Sequence, residues 1–272
     1  MGLYPPAPKA PRFNILGVGM SVLNLPEAVR RILAAVENGQ GGYITVTGMH
    51  GIMESHDHEA LREIHNQAFL CTPDGMPGVW LGRLAGFKEM DRVYGPDLTL
   101  EIMKASQTLP VKHFFYGGAE GVADDLKKKM EERFPGVQIV GTYCPPFRPL
   151  NETELAALKK QVATACPDIF WVGLSTPKQE RFMAEYLPLL DTKLMIGVGA
   201  AFDFHTGRAI QAPRWIQRSG LEWAFRLVTN PRRLWKRYVI QVPRFTFLVL
   251  RDIVTGKFRT ASRAASSTDP KP

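Results

Sequence analysis

Asp74 is the side chain whose setting most directly suggests chemistry. It stands in Thr72-Pro73-Asp74-Gly75-Met76-Pro77, directly after the short apolar run Ala68-Phe69-Leu70-Cys71. Proline and glycine on either side fix a tight turn, so one carboxylate is held on a rigid loop where it can face a ligand rather than a core. A carboxylate held this way can take the proton from an attacking hydroxyl. Taken alone, Asp-Gly is usually the mark of an ordinary turn.

Other polar positions fall where apolar runs end. Ser175-Thr176-Pro177-Lys178-Gln179-Glu180 sits at a strand-to-helix transition. Capping explains Thr176 and Pro177. It also leaves Lys178 and Gln179 in a first turn, whose open N–H groups favour anionic or polar ligands. Gln179 both donates and accepts, which suits reading hydroxyls or an amide. Phe202-Asp203-Phe204-His205 follows another apolar strand, and Asp203 fits either a ligand contact or a cap. His50 and His205 have no partner at a metal-ligand spacing, and no Asp-x-Asp pair occurs, so the chain is expected to hold no metal. Gly117-Gly118-Ala119-Glu120-Gly121 is half of a dinucleotide loop, and Gly197-Val198-Gly199-Ala200-Ala201-Phe202 lacks a third glycine. The strand Gln138 to Tyr143 ends without the acid that would hold an adenosine ribose, which disfavours an NAD-dependent dehydrogenase.

Charge is concentrated. Of 34 basic and 26 acidic residues, twelve and two lie between Arg208 and Arg259, leaving 22 and 24 elsewhere, so the excess of +8 belongs to that segment. It calls for a polyanionic partner: a phosphate ligand, an anionic membrane surface or nucleic acid. Trp215, Trp223, Phe225, Trp235, Tyr238, Phe245 and Phe247 interleave with the arginines. That mixture suits a membrane interface, base stacking, or a solvated face on core-packed helices. The apolar run Tyr238 to Leu250 contains Gln241, Pro243 and Arg244 and is too short to span a bilayer. Three cysteines without metal-like spacing fit a reduced cytosolic compartment.

The elements that must position these residues alternate. Val29, Ile32, Leu33 and Val36 mark a helix opened by Asn24-Leu25-Pro26 and stopped near Gly39. Tyr43 to Thr47 is a strand, and one helix is expected from there through about Ala68. Strands follow at His113 to Tyr116, Gln138 to Tyr143, Asp168 to Leu174 and Lys193 to Val198. Helices separate them, one opened by the capping box Asn151/Glu154. The expected fold is α/β, a Rossmann-like, mainly parallel sheet with helices on both faces, plus a basic helical C-terminal appendage. Ligands of such folds bind beyond the strand C-termini. The expected organisation is a flexible stretch at 1–12, a core at 13–207, the appendage at 208–259 and a disordered tail at 260–272.

Six ordered segments carry a more specific likeness. They are Thr72-Pro73-Asp74-Gly75, Arg92-Val93-Tyr94-Gly95-Pro96-Asp97, Phe115-Tyr116-Gly117-Gly118, Val172 through Glu180, Gly197 through Asp203, and Ala212-Pro213-Arg214-Trp215 through Glu222-Trp223 to Tyr238. Together they resemble the WecG/TagA/CpsF glycosyltransferases over about Phe13 to Tyr238. The resemblance implies metal-independent, inverting transfer of a sugar from a UDP-sugar to an acceptor on a polyprenyl diphosphate, without a cofactor. It implies a cytoplasmic enzyme peripherally bound to the inner membrane face, working in wall or capsular polymer synthesis, with no nucleic acid as partner; a homo-oligomer is compatible. On the matching positions, Asp74 would be the general base. Gln179 would help bind a sugar, and Arg226, Arg233 and Arg237 would neutralise the diphosphate. Thr47, His50, Lys178, Asp203, Gly117 and Gly118 would complete the substrate-binding set. Many members carry Thr-x-Asn after the strand entering the site. Here Thr47-Gly48-Met49-His50 keeps the threonine, lacks the asparagine, and offers His50 nearby. The rival readings are a nucleotide-dependent oxidoreductase and a basic nucleic-acid-binding protein. A carboxylate base with guanidinium groups in place of a metal is chemically sufficient for the transfer.

Overall fold

The computed structural model of the chain describes Tyr4 and residues 9–258, and of Arg233, Lys236 and Arg237 only the backbone. Most of the stretch expected to be flexible, and all of the expected tail at 260–272, lie outside the described residues. The chain begins with a hairpin, β1 (Arg12–Ile15) and β2 (Val18–Ser21), followed by α1 (Leu25–Glu37) and β3 (Gly42–Thr47). Then come α2 (Met49–Asp57), α3 (Glu59–Gln67), β4 (Leu70–Pro73), α4 (Met76–Leu84) and α5 (Gly95–Ser106). The alternation continues with β5 (Lys112–Gly117), α6 (Val122–Arg133), β6 (Gln138–Tyr143), α7 (Glu152–Ala165), β7 (Ile169–Gly173), α8 (Lys178–Tyr186) and β8 (Leu194–Gly197). Four helices close the described chain: α9 (Ala201–Thr206), α10 (Arg214–Arg218), α11 (Glu222–Thr229) and α12 (Pro231–Val254).

The large sheet is six-stranded and parallel, in the order β4-β3-β8-β7-β5-β6. The expected α/β class is therefore the observed one. The described residues form two compact bodies. One holds Pro26–Thr45 and Gly95–Ala209; the other holds Lys9–Leu25, Val46–Tyr94 and the chain from Ile210 on.

The first body is built on strands buried on both faces, so they read as continuous apolar runs rather than alternating ones. Its interior is aromatic. Phe114 stacks on Phe170 at 5.1 Å, Phe115 meets Phe202 edge-on at 5.5 Å, and Tyr116 stacks on Phe182 at 4.4 Å. Asn151 caps α7 as its sequence predicts: its side chain accepts from Glu154 N at 2.8 Å, and Glu154 accepts from Asn151 N at 2.9 Å.

The second body has its own core, in which Phe13, Ile15 and Met20 of the hairpin meet Ile52, Met53, Cys71, Leu81, Phe245, Leu248 and Val249. Here the helix expected from Thr47 through Ala68 is two helices. His58 is extended (φ −127°, ψ 105°), and its carbonyl accepts from Leu61 N and Arg62 N to start the second. The break leaves α3 free to turn Leu61 and His65 inward. The capping expected of Thr176 also differs. α8 begins at Lys178, and the Thr176 hydroxyl donates to the Glu180 carboxylate at 2.8 Å instead of accepting from a backbone N–H.

His113 on β5 is fully buried, and its Nδ1 accepts from Trp171 Nε1 at 3.1 Å. Burial pulls it down to about 3 from 6.5, against a small opposing pull from Asp168. Below pH 6.5 the unfolded chain binds a proton here that the folded chain refuses, so stability falls as pH falls. Replacing His113 by Asn, which keeps an acceptor for Trp171, should flatten the slope of unfolding free energy below that pH by about 1.4 kcal/mol per unit. Urea titrations over a pH series measure this, and an unchanged slope would contradict it.

Candidate active site

Two neighbouring strand ends of the second body carry the carboxylate. β4 ends at Pro73, and Asp74 N donates to the carbonyl of Thr47, the last residue of β3, at 3.1 Å. Gly48 follows as the N-cap of α2. A Cβ there would lie 3.7 Å from Asp74 Oδ2, so the Asp74 carboxylate stands against the start of that helix. The Thr47 hydroxyl faces inward: it is buried, 3.2 Å from His65 Nδ1, and accepts from Cys71 Sγ at 3.6 Å. Burial holds His65 near 4, so the ring is neutral at physiological pH and shares a hydrogen bond with the Thr47 hydroxyl. Thr47 thus fixes the loop through its side chain and meets Asp74 through its backbone.

Arg92, whose role the sequence alone did not suggest, ties this loop to the C-terminal segment. Its Nε donates to the Asp74 carbonyl, its Nη2 to the Glu222 carboxylate, and its Nη1 to Gln217 Oε1 at 3.3 Å. The guanidinium lies over the Tyr94 ring, 3.9 Å from its centroid. Arg92 and Glu222 are only 11% and 14% exposed at their side chains, so the pair is largely desolvated. The only local hint was the segment Arg92-Val93-Tyr94; its partner is 130 residues away.

Arg226 of α11 belongs to the same cluster. Its desolvation is outweighed by Tyr238, Glu222, Tyr94 and Asp74, so its guanidinium is held charged above its ordinary value. Burial drives Tyr94 strongly up, and Glu222 and Asp74 add to that, so its phenol stays protonated. Of the three arginines expected at the diphosphate, Arg226 feels the Asp74 charge as the smallest of the four influences that raise it; Arg233 and Arg237 have side chains outside the described residues. His50 Nδ1 pairs with Gln241 Oε1 of α12 at 2.8 Å, and Gln241 Nε2 donates to Glu54 at 3.1 Å. A cavity of 310 Å³ in this body lies among the β1–β2 turn, His56 and the end of α12; none of these site residues lines it.

The first body carries the remaining candidates. Gly117 (φ +124°) ends β5 so close to β7 that a Cβ would lie 2.6 Å from the Gly173 carbonyl, and Gly118 N donates to that carbonyl at 3.0 Å. Lys178 opens α8. Gln179 beside it is 2% exposed, accepts from Gly199 N at 3.0 Å and donates to Glu180 Oε1 at 3.1 Å. Asp203 lies in the first turn of α9, and His205 Nε2 meets the Pro96 carbonyl at 3.1 Å.

The parallel α/β fold and the family model that matches this chain place it among the group-transfer enzymes, as a glycosyltransferase. The chain belongs to the WecG/TagA/CpsF family of glycosyl transferases, whose family model matches residues 13–259. It is 33% identical over 180 residues to an N-acetylglucosaminyldiphosphoundecaprenol N-acetyl-beta-D-mannosaminyltransferase of Bacillus subtilis (strain 168), covering 66% of this chain and 68% of that protein. It is 28% identical over 216 residues to a protein of the same description from Bacillus spizizenii (strain ATCC 23059 / NRRL B-14472 / W23), covering 79% and 81%.

Removing Arg92 alone leaves Glu222 buried without its cation. Arg92→Met should cost about 3–5 kcal/mol in urea unfolding, and Arg92→Met/Glu222→Leu should recover part of it. A double-mutant cycle should return a coupling of about 1 kcal/mol or more. Additive single effects would show that the pair does not anchor the loop.

Proposed function

We propose that this chain is an inverting glycosyltransferase moving a sugar, an N-acetylhexosamine or hexose, from a UDP-sugar to an acceptor on polyprenyl diphosphate in cell-surface polysaccharide synthesis. Membership of the family and the lipid-diphosphate acceptor in the relatives' names support the acceptor class. The observation that carries the reading is that Asp74 and Arg226 lie in one body, with the arginine within electrostatic reach of the carboxylate.

In the proposed displacement Asp74 takes the proton of the acceptor hydroxyl, whose oxygen attacks the anomeric carbon. The bond from that carbon to the UDP oxygen breaks, and its electron pair leaves on the β-phosphate. Inversion requires the base and the leaving group on opposite faces of the sugar. Charge developing on the diphosphate needs fixed cations, and guanidinium groups meet it with paired donors. Arg226 is the first of these, with Arg233 and Arg237 following on α12. Thr47, acting through its backbone, and His50 are the proposed substrate contacts of the second body; Gln179, Lys178, Asp203, Gly117 and Gly118 are those of the first.

We also propose peripheral attachment to the inner face of the cell membrane. No helix among the described residues is long and apolar enough to cross a membrane. Yet α12 exposes Ile240, Phe247, Leu250 and Val254, at steps of seven, three and four residues, while Phe245, Leu248 and Val249 are buried. Trp215 and Trp235 are also exposed. An apolar stripe with aromatics and arginines suits the headgroup boundary of anionic lipid.

Asp74→Asn should lower turnover by about 10²–10⁴-fold, the usual worth of a general base, while UDP binding by calorimetry stays near that of the parent. Arg226→Glu should weaken UDP binding at least about tenfold, or about 1.4 kcal/mol. Near-normal turnover in the first variant, or unchanged UDP affinity in the second, would refute those roles. Sedimentation with anionic vesicles should be strong at low salt and fall in Phe247→Glu and as salt rises; equal binding to neutral vesicles would count against the membrane proposal.

A further inference from the structure

Glu180 is a buried carboxyl that the proposed chemistry does not use. It is fully inaccessible, and among the described residues its Oε2 has no hydrogen-bond partner and no cation pairs with it. Its Oε1 accepts from the Thr176 hydroxyl at 2.8 Å and from Gln179 Nε2 at 3.1 Å. On the far side of the same amide, Gln179 Oε1 accepts from Gly199 N at 3.0 Å. Gly197 leaves the space that the amide fills, since a Cβ there would lie 3.1 Å from Gln179 Cδ and 3.2 Å from Nε2.

We propose that Glu180 is the positioning residue for Gln179, fixing which way round its amide sits. A glutamine amide is nearly symmetric in shape, and its two orientations differ only in which end donates. Gly199 N–H can only donate, so the end facing it must be the oxygen. Glu180 Oε1, already accepting from Thr176, then faces the nitrogen. Turning the amide over would set N–H against N–H on one side and oxygen against oxygen on the other. With both anchors in place, one N–H and one lone pair of Gln179 keep fixed directions, which is the pre-organisation a sugar-binding group needs. Burial raises the Glu180 carboxyl above its ordinary value, against the pull of its own backbone N–H, Thr176 and Gln179. Desolvation favours the neutral form of a carboxyl. The neutral acid still offers Oε1 as acceptor, so a neutral amide in its place can do the same work.

The role of this pair in sugar binding rests on the function proposed above; the orientation of the Gln179 amide does not, and the test separates the two. In the ¹⁵N-labelled full chain, the Gln179 side-chain amide signals, assigned by their loss in Gln179→Leu, should exchange slowly with solvent. Glu180→Gln should preserve that protection, and Glu180→Met should raise the exchange rate at least tenfold. With a UDP-sugar that the parent enzyme turns over, Glu180→Gln should stay within about threefold of the parent. Glu180→Met should lose tenfold or more in kcat/KM for the donor, at a melting temperature close to that of Glu180→Gln. Should Glu180→Met fail to fold, Thr176→Val, which removes the second donor to Oε1, should give a smaller rise in exchange. Unaltered protection in Glu180→Met and Thr176→Val, or loss in Glu180→Gln as large as in Glu180→Met, would overturn the proposal. Failure of the parent to bind UDP would instead overturn the functional reading and leave the exchange result standing.

Discussion

The guanidinium of Arg92 is the joint on which the carboxylate side of the site depends. A guanidinium has five donors in one rigid plane and cannot be discharged, so it imposes a fixed geometry on whatever it holds. Here one edge grips the main-chain carbonyl of Asp74, another the carboxylate of Glu222 and the amide of Gln217, while its face rests on Tyr94. The backbone of the Asp74 turn is thereby coupled to the end of α10 and the start of α11. Holding charge in so dry a cluster strengthens the electrostatics around it, which is why Arg226 and Tyr94 both feel Asp74 and Glu222.

In the first body a different constraint acts, the close approach of backbones at strand ends. Gly117 and Gly118 adopt left-handed conformations, and a side chain at Gly117 would enter the Gly173 carbonyl. Gly199 turns at φ +54°, and its N–H faces Gln179. Absent side chains, more than present ones, set the shape there, and Gln179 and Glu180 fill the space that remains.

The basic C-terminal segment resolves into separate tasks once it is folded. Arg226 is half-buried beside acids and phenols, whereas Arg244 spans to Asp57 through two bonds of 2.5 Å and anchors α12 on α2. Arg251 sits beside Asp252. Equal charges thus serve a desolvated polar cluster, the docking of a helix and the surface, while the opposite faces of α12 divide into a packed row and an exposed one.

Much of the fold was legible because its signals are local. The apolar spacing of α1, the capping box of α7 and the buried runs of β5, β7 and β8 depend on a few consecutive residues, and so does the Pro/Gly setting of Asp74. The parts that escaped depend on long-range partners. Nothing near Thr47 shows that its hydroxyl turns to His65, and nothing near His50 points to Gln241. Sequence alone determined which side chains carry charge, which turns must be tight and which strands are buried, since these follow from covalent chemistry and short-range periodicity. Only the tertiary structure decided that Arg92 meets Glu222 across 130 residues and that Arg226 comes under the influence of Asp74. Such pairings are selected by packing and desolvation of the whole chain, and no local pattern encodes them.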